Sequence, residues 1–116
     1  YAVVLDVDNI IEVDFLKRVN QYINPDKAQV FQTHRKALNT DTPLALLDAL
    51  SEEVNNHIFR KGHRAVGLPS ALIGSGMVLP FHLFKNWSNN LNTVVEDKEL
   101  ELIIIEQKIG IEYLCD

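Results

Sequence analysis

The sequence has 116 residues, a formal net charge of -5, 47% hydrophobic residues and one cysteine. That length allows one domain with a real core, and an acidic balance without a basic cluster excludes a surface that tracks nucleic-acid phosphates, so an acidic substrate would need a metal as intermediary. Cys115 alone excludes a disulfide framework and a cysteine zinc site, which fits a reducing, cytoplasmic setting, and no apolar run approaches membrane-spanning length.

The chain opens on Tyr1-Ala-Val-Val-Leu-Asp-Val-Asp-Asn9, an apolar run that empties into two carboxylates. A run without alternation predicts a strand buried on both faces. Residues two apart on an extended backbone project to the same side, so Asp6 and Asp8 converge at the carboxyl end of this strand while Val7 points away. Glu12 to Asn24 carries Phe15 or Leu16, Val19, and Tyr22 or Ile23 at helical spacing, and Asn24-Pro25 stops the helix. Ala28 to Thr33 predicts a second strand, and the order strand, helix, strand implies parallel pairing through a right-handed crossover. His34 to Asp41 reads as a loop.

Thr42-Pro43 starts the longest helix, with a hydroxyl cap and proline at the first helical position. Leu47, Leu50, Val54 and Ile58 run along one face, Glu52, Glu53, Asn55, Asn56 and His57 along a solvated one, and Arg60-Lys61-Gly62 supplies the end. Ala65 to Leu72, broken by Gly67 and Pro69, is an irregular edge segment or brief strand. Gly74-Ser75-Gly76 precedes a short strand at Met77-Val78-Leu79, and Pro80 opens a helix through Phe81, Phe84 and Trp87. Ser88 to Thr93 is a loop, Glu96-Asp97 stands at the start of a helix bearing Leu100, Ile103 and Ile104, Gly110 ends that helix, and Ile111 to Leu114 forms a last strand. The fold class is therefore α/β, a mainly parallel mixed sheet flanked by helices.

Three constellations carry chemistry, each with a plain structural reading beside it. Asp6 and Asp8 make either a solvated turn or one side of a site for a hard divalent cation, Mg²⁺ or Mn²⁺, whose other ligands are phosphate oxygens. An EF-hand is excluded because Ile10 occupies a ligand position and no glycine makes the turn. A phosphatase of the haloacid-dehalogenase type also begins with a strand and Asp-x-Asp, with the first Asp as nucleophile, and it stays open at this point. Gly74-Ser75-Gly76 is either a plain turn or a place where the backbone approaches a ligand closely. Glu96-Asp97 holds either helix-capping acids or, in Asp97, a general base kept ionised by the helix N-terminus. Thr33-His34-Arg35 has ordinary surface roles or faces the same crevice.

The order of these motifs, Asp6-Val-Asp8-Asn9, Val30-Phe-Gln-Thr33, Gly74-Ser-Gly76-Met77 and Glu96-Asp97-Lys-Glu-Leu-Glu101, resembles the family 2 glycosyltransferases over nearly the whole chain. The resemblance implies part of a GT-A nucleotide-diphospho-sugar transferase fold and an inverting transfer of a hexosyl group in polysaccharide or glycoconjugate synthesis. It implies a nucleoside-diphosphate sugar as donor and a glycan, lipid or other hydroxyl as acceptor, at the cytoplasmic face of a membrane in the parent protein. By the same resemblance Asp6 and Asp8 engage the metal and the donor diphosphate, Gly74, Ser75 and Gly76 form the small-residue loop beside sugar and acceptor, and Asp97 is the catalytic base. Two departures stand out: the family's nucleotide-base half and its later Gln-x-x-Arg-Trp motif have no counterpart here. Residues 1–116 are therefore expected to be the metal- and acceptor-side fragment of a larger catalytic domain, without turnover of its own. A non-catalytic binding or assembly domain is the remaining reading.

Overall fold

The computed structural model describes residues 1–91 and 94–115. Among these, four strands form one mixed sheet in the order β1-β3-β2-β4, with β1 spanning Ala2–Val4, β2 Gln29–Thr33, β3 Met77–Leu79 and β4 Gly110–Leu114. β3 runs antiparallel to both β1 and β2, while β2 and β4 pair in parallel from Gln29↔Gly110 to Thr33↔Leu114. β1 and β2 thus point the same way, as the strand, helix, strand order requires, but β3 lies between them and the crossover spans one strand. β1 is half-buried rather than covered on both faces.

Alternation along the strands divides the core between the two faces of the sheet. Val30, Met77, Leu79 and Ile111 pack on one face with Trp87 of α4 (Phe81–Ser88) and Leu100 and Ile104 of α5 (Glu96–Glu106). Phe31, Val78 and Leu114 pack on the other with Val19 of α1 (Phe15–Tyr22). α5 stops after Glu106, where Lys108 enters the left-handed region at φ 57, and Gly110, expected as the helix stop, already belongs to β4. The segment Ala65 to Leu72 forms no strand; Ser70 donates its backbone N–H to Ile111.

The long helix starts as its sequence dictates. The Thr42 hydroxyl accepts the Ala45 N–H and Pro43 occupies the first turn of α2 (Pro43–Asn55). It then widens into a π-helical stretch, Asn56–Gly62, and regains α geometry in a last turn, α3 (His63–Ala65). Gly62 is therefore not a left-handed stop: its φ is -63, and a Cβ there would lie 3.0 Å from the His57 carbonyl oxygen. Gly67, at φ 79, takes the left-handed conformation just past the end.

The expected apolar face of this helix is not its packed side, and of the expected solvated face Glu53 and His57 stay exposed while Asn56 is buried. Leu47, Val54 and Ile58 are 64%, 52% and 54% exposed, whereas Asn56 and Arg60 are 3% and 2% exposed. The burial of Asn56 and Arg60 follows from polar pairing. The Arg60 guanidinium donates to Glu52 at 3.0 Å and to Asn56 Oδ1, and Asn56 Nδ2 donates to the Arg35 carbonyl at 2.9 Å. Each polar group taken from water has a partner, which is what makes their burial tolerable.

Candidate donor and acceptor site

β1 ends at Val4, and the Asn9 N–H donates to the Asp6 carbonyl at 3.1 Å, so Asp6 to Asn9 form a turn rather than an extended run. The two acids are exposed because a turn, not strand alternation, presents them. Beneath this turn lies Ser75, wholly buried. Its hydroxyl accepts the Asp6 N–H at 3.0 Å and donates to Asn9 Oδ1 at 3.1 Å, while Asn9 Nδ2 donates to the Asp8 carboxylate at 3.1 Å. Ser75 thus works as a staple under the acids, with its hydroxyl directed at protein groups.

The glycines on either side are set by backbone geometry. Gly74 and Gly76 have φ of 74 and 71, a region open to glycine and costly for other residues. The Gly76 carbonyl accepts the Thr33 N–H at 2.8 Å and the Thr33 hydroxyl at 2.9 Å, and a Cβ on Gly76 would stand 2.5 Å from that hydroxyl. On the other flank, a Cβ on Gly74 would lie 3.9 Å from the Asp97 Cβ. One three-residue loop is therefore bonded to the Asp6–Asn9 turn through Ser75, bonded to the end of β2 through Gly76, and faces Asp97 at Gly74, where an added methyl would reach van der Waals distance.

Asp97 sits in the first turn of α5 with Glu96 and Glu99, where the exposed N–H groups of the helix favour carboxylates. Its Oδ1 accepts the Lys98 N–H at 2.9 Å. α5 is fastened to the chain just before the loop by a pair that sequence reasoning missed. Glu101 accepts the Leu72 N–H at 2.9 Å, Lys98 Nζ donates to the Leu72 carbonyl at 2.9 Å, and the two side chains pair at 2.8 Å. Their spacing of three on a helix was the available signal.

A crevice of about 1030 Å³ opens beyond the carboxyl ends of β1, β2 and β4, where ligands sit in open α/β sheets. Asp8, Asn9, Thr33, His34, Arg35 and Gly76 line it, whereas Asp6, Gly74, Ser75 and Asp97 are not among its lining residues. Thr33 is buried and serves the loop; His34 is held between the Tyr113 hydroxyl and Glu53, its Nε2 lying 3.5 Å from Glu53 Oε1. Burial pushes the Tyr113 phenol up to about 12, against the opposing pull of the Arg60 cation. Tyr113 and Glu53 together hold His34, which lines the crevice.

Among the described residues no group of three His, Cys, Asp or Glu side chains is arranged to hold a metal ion, so a complete protein cage is absent there. Two exposed carboxylates on one turn suit the other way of binding Mg²⁺ or Mn²⁺, in which one or two acids share the ion with substrate phosphates and water. No helix among the described residues is long and apolar enough to cross a membrane. No curated protein and no solved structure matches the chain. The family model described as glycosyltransferase-like family 2 matches residues 1–116, and with the mixed sheet flanked by helices this shows that the chain belongs to that family of sugar-transferring enzymes.

Proposed function

We propose that the chain forms the metal- and acceptor-side part of an inverting glycosyltransferase catalytic domain. In this reading Asp6 and Asp8 hold a nucleoside-diphosphate sugar through Mg²⁺ or Mn²⁺, and Asp97 is the general base. The observation that carries the reading is the Gly74–Gly76 loop, whose Ser75 hydroxyl binds the turn bearing Asp6 and Asp8 while its Gly74 end faces Asp97 closely enough that a side chain there would meet the Asp97 Cβ. A loop anchored in this way sets a leaving-group site and a base on its two sides. Family membership leaves the Asp6-nucleophile phosphatase without support, since that chemistry gives the loop and Asp97 no task.

The chemistry assigned to the chain's own groups is simple. Asp97, in the first turn of α5, accepts the proton of an acceptor hydroxyl as that oxygen attacks the anomeric carbon. The bond from that carbon to the diphosphate oxygen breaks in line, its electron pair leaves with the nucleoside diphosphate, and the sugar configuration inverts. A divalent cation, when bound at Asp6 and Asp8, offsets the charge gathering on the departing diphosphate. The donor and the hydroxyl acceptor, a glycan or a lipid in polysaccharide or glycoconjugate synthesis at a cytoplasmic membrane face, belong to the same proposal.

The decisive experiment separates the two ends of the site in the enzyme that carries this chain. Asp97→Asn is expected to lower kcat by about 10²–10⁴-fold, the contribution of a positioned base, with donor and Mn²⁺ binding retained. Asp8→Ala is expected to lose Mn²⁺-dependent binding of a nucleoside diphosphate, read by titration calorimetry. Full transfer by the Asn variant would remove Asp97 from the base role, and unchanged Mn²⁺ binding by the Ala variant would remove Asp8 from the metal site.

A further inference from the structure

Gln32 is a wholly buried amide in a strand whose neighbours on the same face, Val30 and Met77, are apolar core. Its Nε2 donates to the Ser75 carbonyl at 2.9 Å and the Thr33 carbonyl at 3.1 Å, with the Gly76 carbonyl at 3.4 Å, and its Oε1 accepts the Ile73 N–H at 3.2 Å. The partners fix the orientation of the amide, because carbonyl oxygens can only accept, which calls for the NH₂ end, and a backbone N–H can only donate, which calls for the oxygen. One side chain thereby grips the glycine loop on both sides of Gly74.

The grip is not needed to hold the chain in the sheet. The Gly76 carbonyl already has the Thr33 N–H and hydroxyl, the Gly76 N–H donates to Val4 at 2.8 Å, and Met77 is paired in the ladders to β1 and β2. What the amide adds is the path from Ile73 to Ser75, and that path decides where the Ser75 hydroxyl stands. Ser75 in turn binds the Asp6 N–H and Asn9 Oδ1. A buried, fully partnered amide is a costly way to fill core volume unless it fixes one conformation.

We propose that Gln32 is a positioning residue for the Asp6–Asp8 site: through the Ile73–Ser75 backbone it sets the Ser75 hydroxyl beneath the turn and so holds the two carboxylates in the arrangement that receives a diphosphate and its cation. The proposal rests on the reading of Asp6 and Asp8 as the donor site. It takes no direct contact between Gln32 and substrate.

The test uses Gln32→Met, which fills a similar volume without the amide, Ser75→Ala, which removes the far end of the chain of bonds, and the double variant. Two readouts are taken: backbone amide exchange at Asp6, followed by NMR, and titration of Mn²⁺ with inorganic pyrophosphate. Exchange at Asp6 is expected to quicken by about tenfold in each single variant, as the loss of one or two hydrogen bonds implies, while amides of Leu100 and Ile104 stay as in the wild type. Affinity for Mn²⁺ with pyrophosphate is expected to fall by a similar factor, with the double variant no weaker than the singles, the signature of two groups acting along one path. Should Met fail to fold at position 32, the Ser75→Ala variant alone must show both effects. Unchanged exchange at Asp6 overturns the coupling. Wild-type affinity in the variants overturns the positioning role and leaves the donor site standing. A wild-type chain that ignores Mn²⁺ and pyrophosphate sinks the donor site itself, and the positioning role with it.

Discussion

At the scale of single residues, the two glycines of the loop differ in what a side chain would meet. An alanine at position 76 suffers the left-handed backbone strain and also drives its methyl to within 2.5 Å of the Thr33 hydroxyl. Gly76→Ala is therefore expected to destabilise the fold by about 2–4 kcal/mol, combining strain and overpacking, as measured by urea denaturation. An alanine at position 74 meets only ordinary contact, at 3.9 Å from the Asp97 Cβ. Gly74→Ala is expected to cost about 1–2 kcal/mol from strain alone and to lower transfer more than stability, because the new methyl faces the proposed base. Equal losses at the two positions would contradict the contact geometry. Tyr113 gives a pH prediction of definite sign. Its phenol is raised from 10.0 to about 12 in the fold, mainly by burial. The folded state then holds this proton more tightly than the unfolded chain, so the stabilisation is whole below the unfolded value and drains away as pH rises through the folded one. Wild-type stability relative to Tyr113→Phe is expected to be level up to about pH 10 and to decline toward pH 12, followed by thermal melts; a difference that grows with alkalinity would reverse the assignment.

At the scale of elements, α2 shows where periodicity informs and where it misleads. Its start was legible because a hydroxyl cap and a first-turn proline act locally, and the structure has both. The π-helical stretch and the burial of Asn56 and Arg60 were not, since they depend on partners distant in sequence such as the Arg35 carbonyl. Strands over Ala28 to Thr33, Met77 to Leu79 and Ile111 to Leu114 were visible in short apolar runs, within a residue of their observed bounds, but the insertion of β3 between β1 and β2 is a long-range fact that no local pattern encodes. The candidate site divides the same way. Asp6, Asp8, the glycine loop and Asp97 could be given roles from motif order, whereas Gln32, inside the Val30–Thr33 motif, had none until its buried amide was seen to grip that loop. The exposed apolar residues and buried Arg60 of α2 and the Asn56–Gly62 stretch give a sharp contrast in stability. Leu47→Gln and Ile58→Gln replace exposed side chains and are expected to change stability by less than about 0.5 kcal/mol. Arg60→Met strips a buried cation from Glu52 and leaves Asn56 Oδ1 without its donor, for an expected loss of about 1–3 kcal/mol in urea melts. An ordering with the leucine change as the more harmful would restore the apolar stripe as the packed face.

At the scale of the whole molecule, stability is unevenly spread. The sheet is packed from both sides, with Val30, Phe31, Val78, Leu79 and Ile111 nearly or wholly inaccessible, and α5 adds Leu100 and Ile104 to the same core. By contrast, Pro43–Asn55 of α2 contributes no buried residue and is held by polar contacts, Glu53 against His34 and Glu52 against Arg60. Local opening requires little free energy where few apolar contacts are lost, and approaches the global value in a packed core. In native-state hydrogen exchange on this chain, amides of α2 before Asn55 are expected to exchange through local unfolding that is insensitive to low denaturant. Those of β2, β3 and α5 are expected to wait for the global transition. The site falls across this gradient, with Ser75 and Gly76 anchored to the protected sheet and the exposed Asp6–Asn9 turn tied to it through a single hydroxyl. Protection in α2 equal to that of β3 would mean that something covers the exposed face at Leu47 and Val54 in solution, and that face would then not be a solvated one.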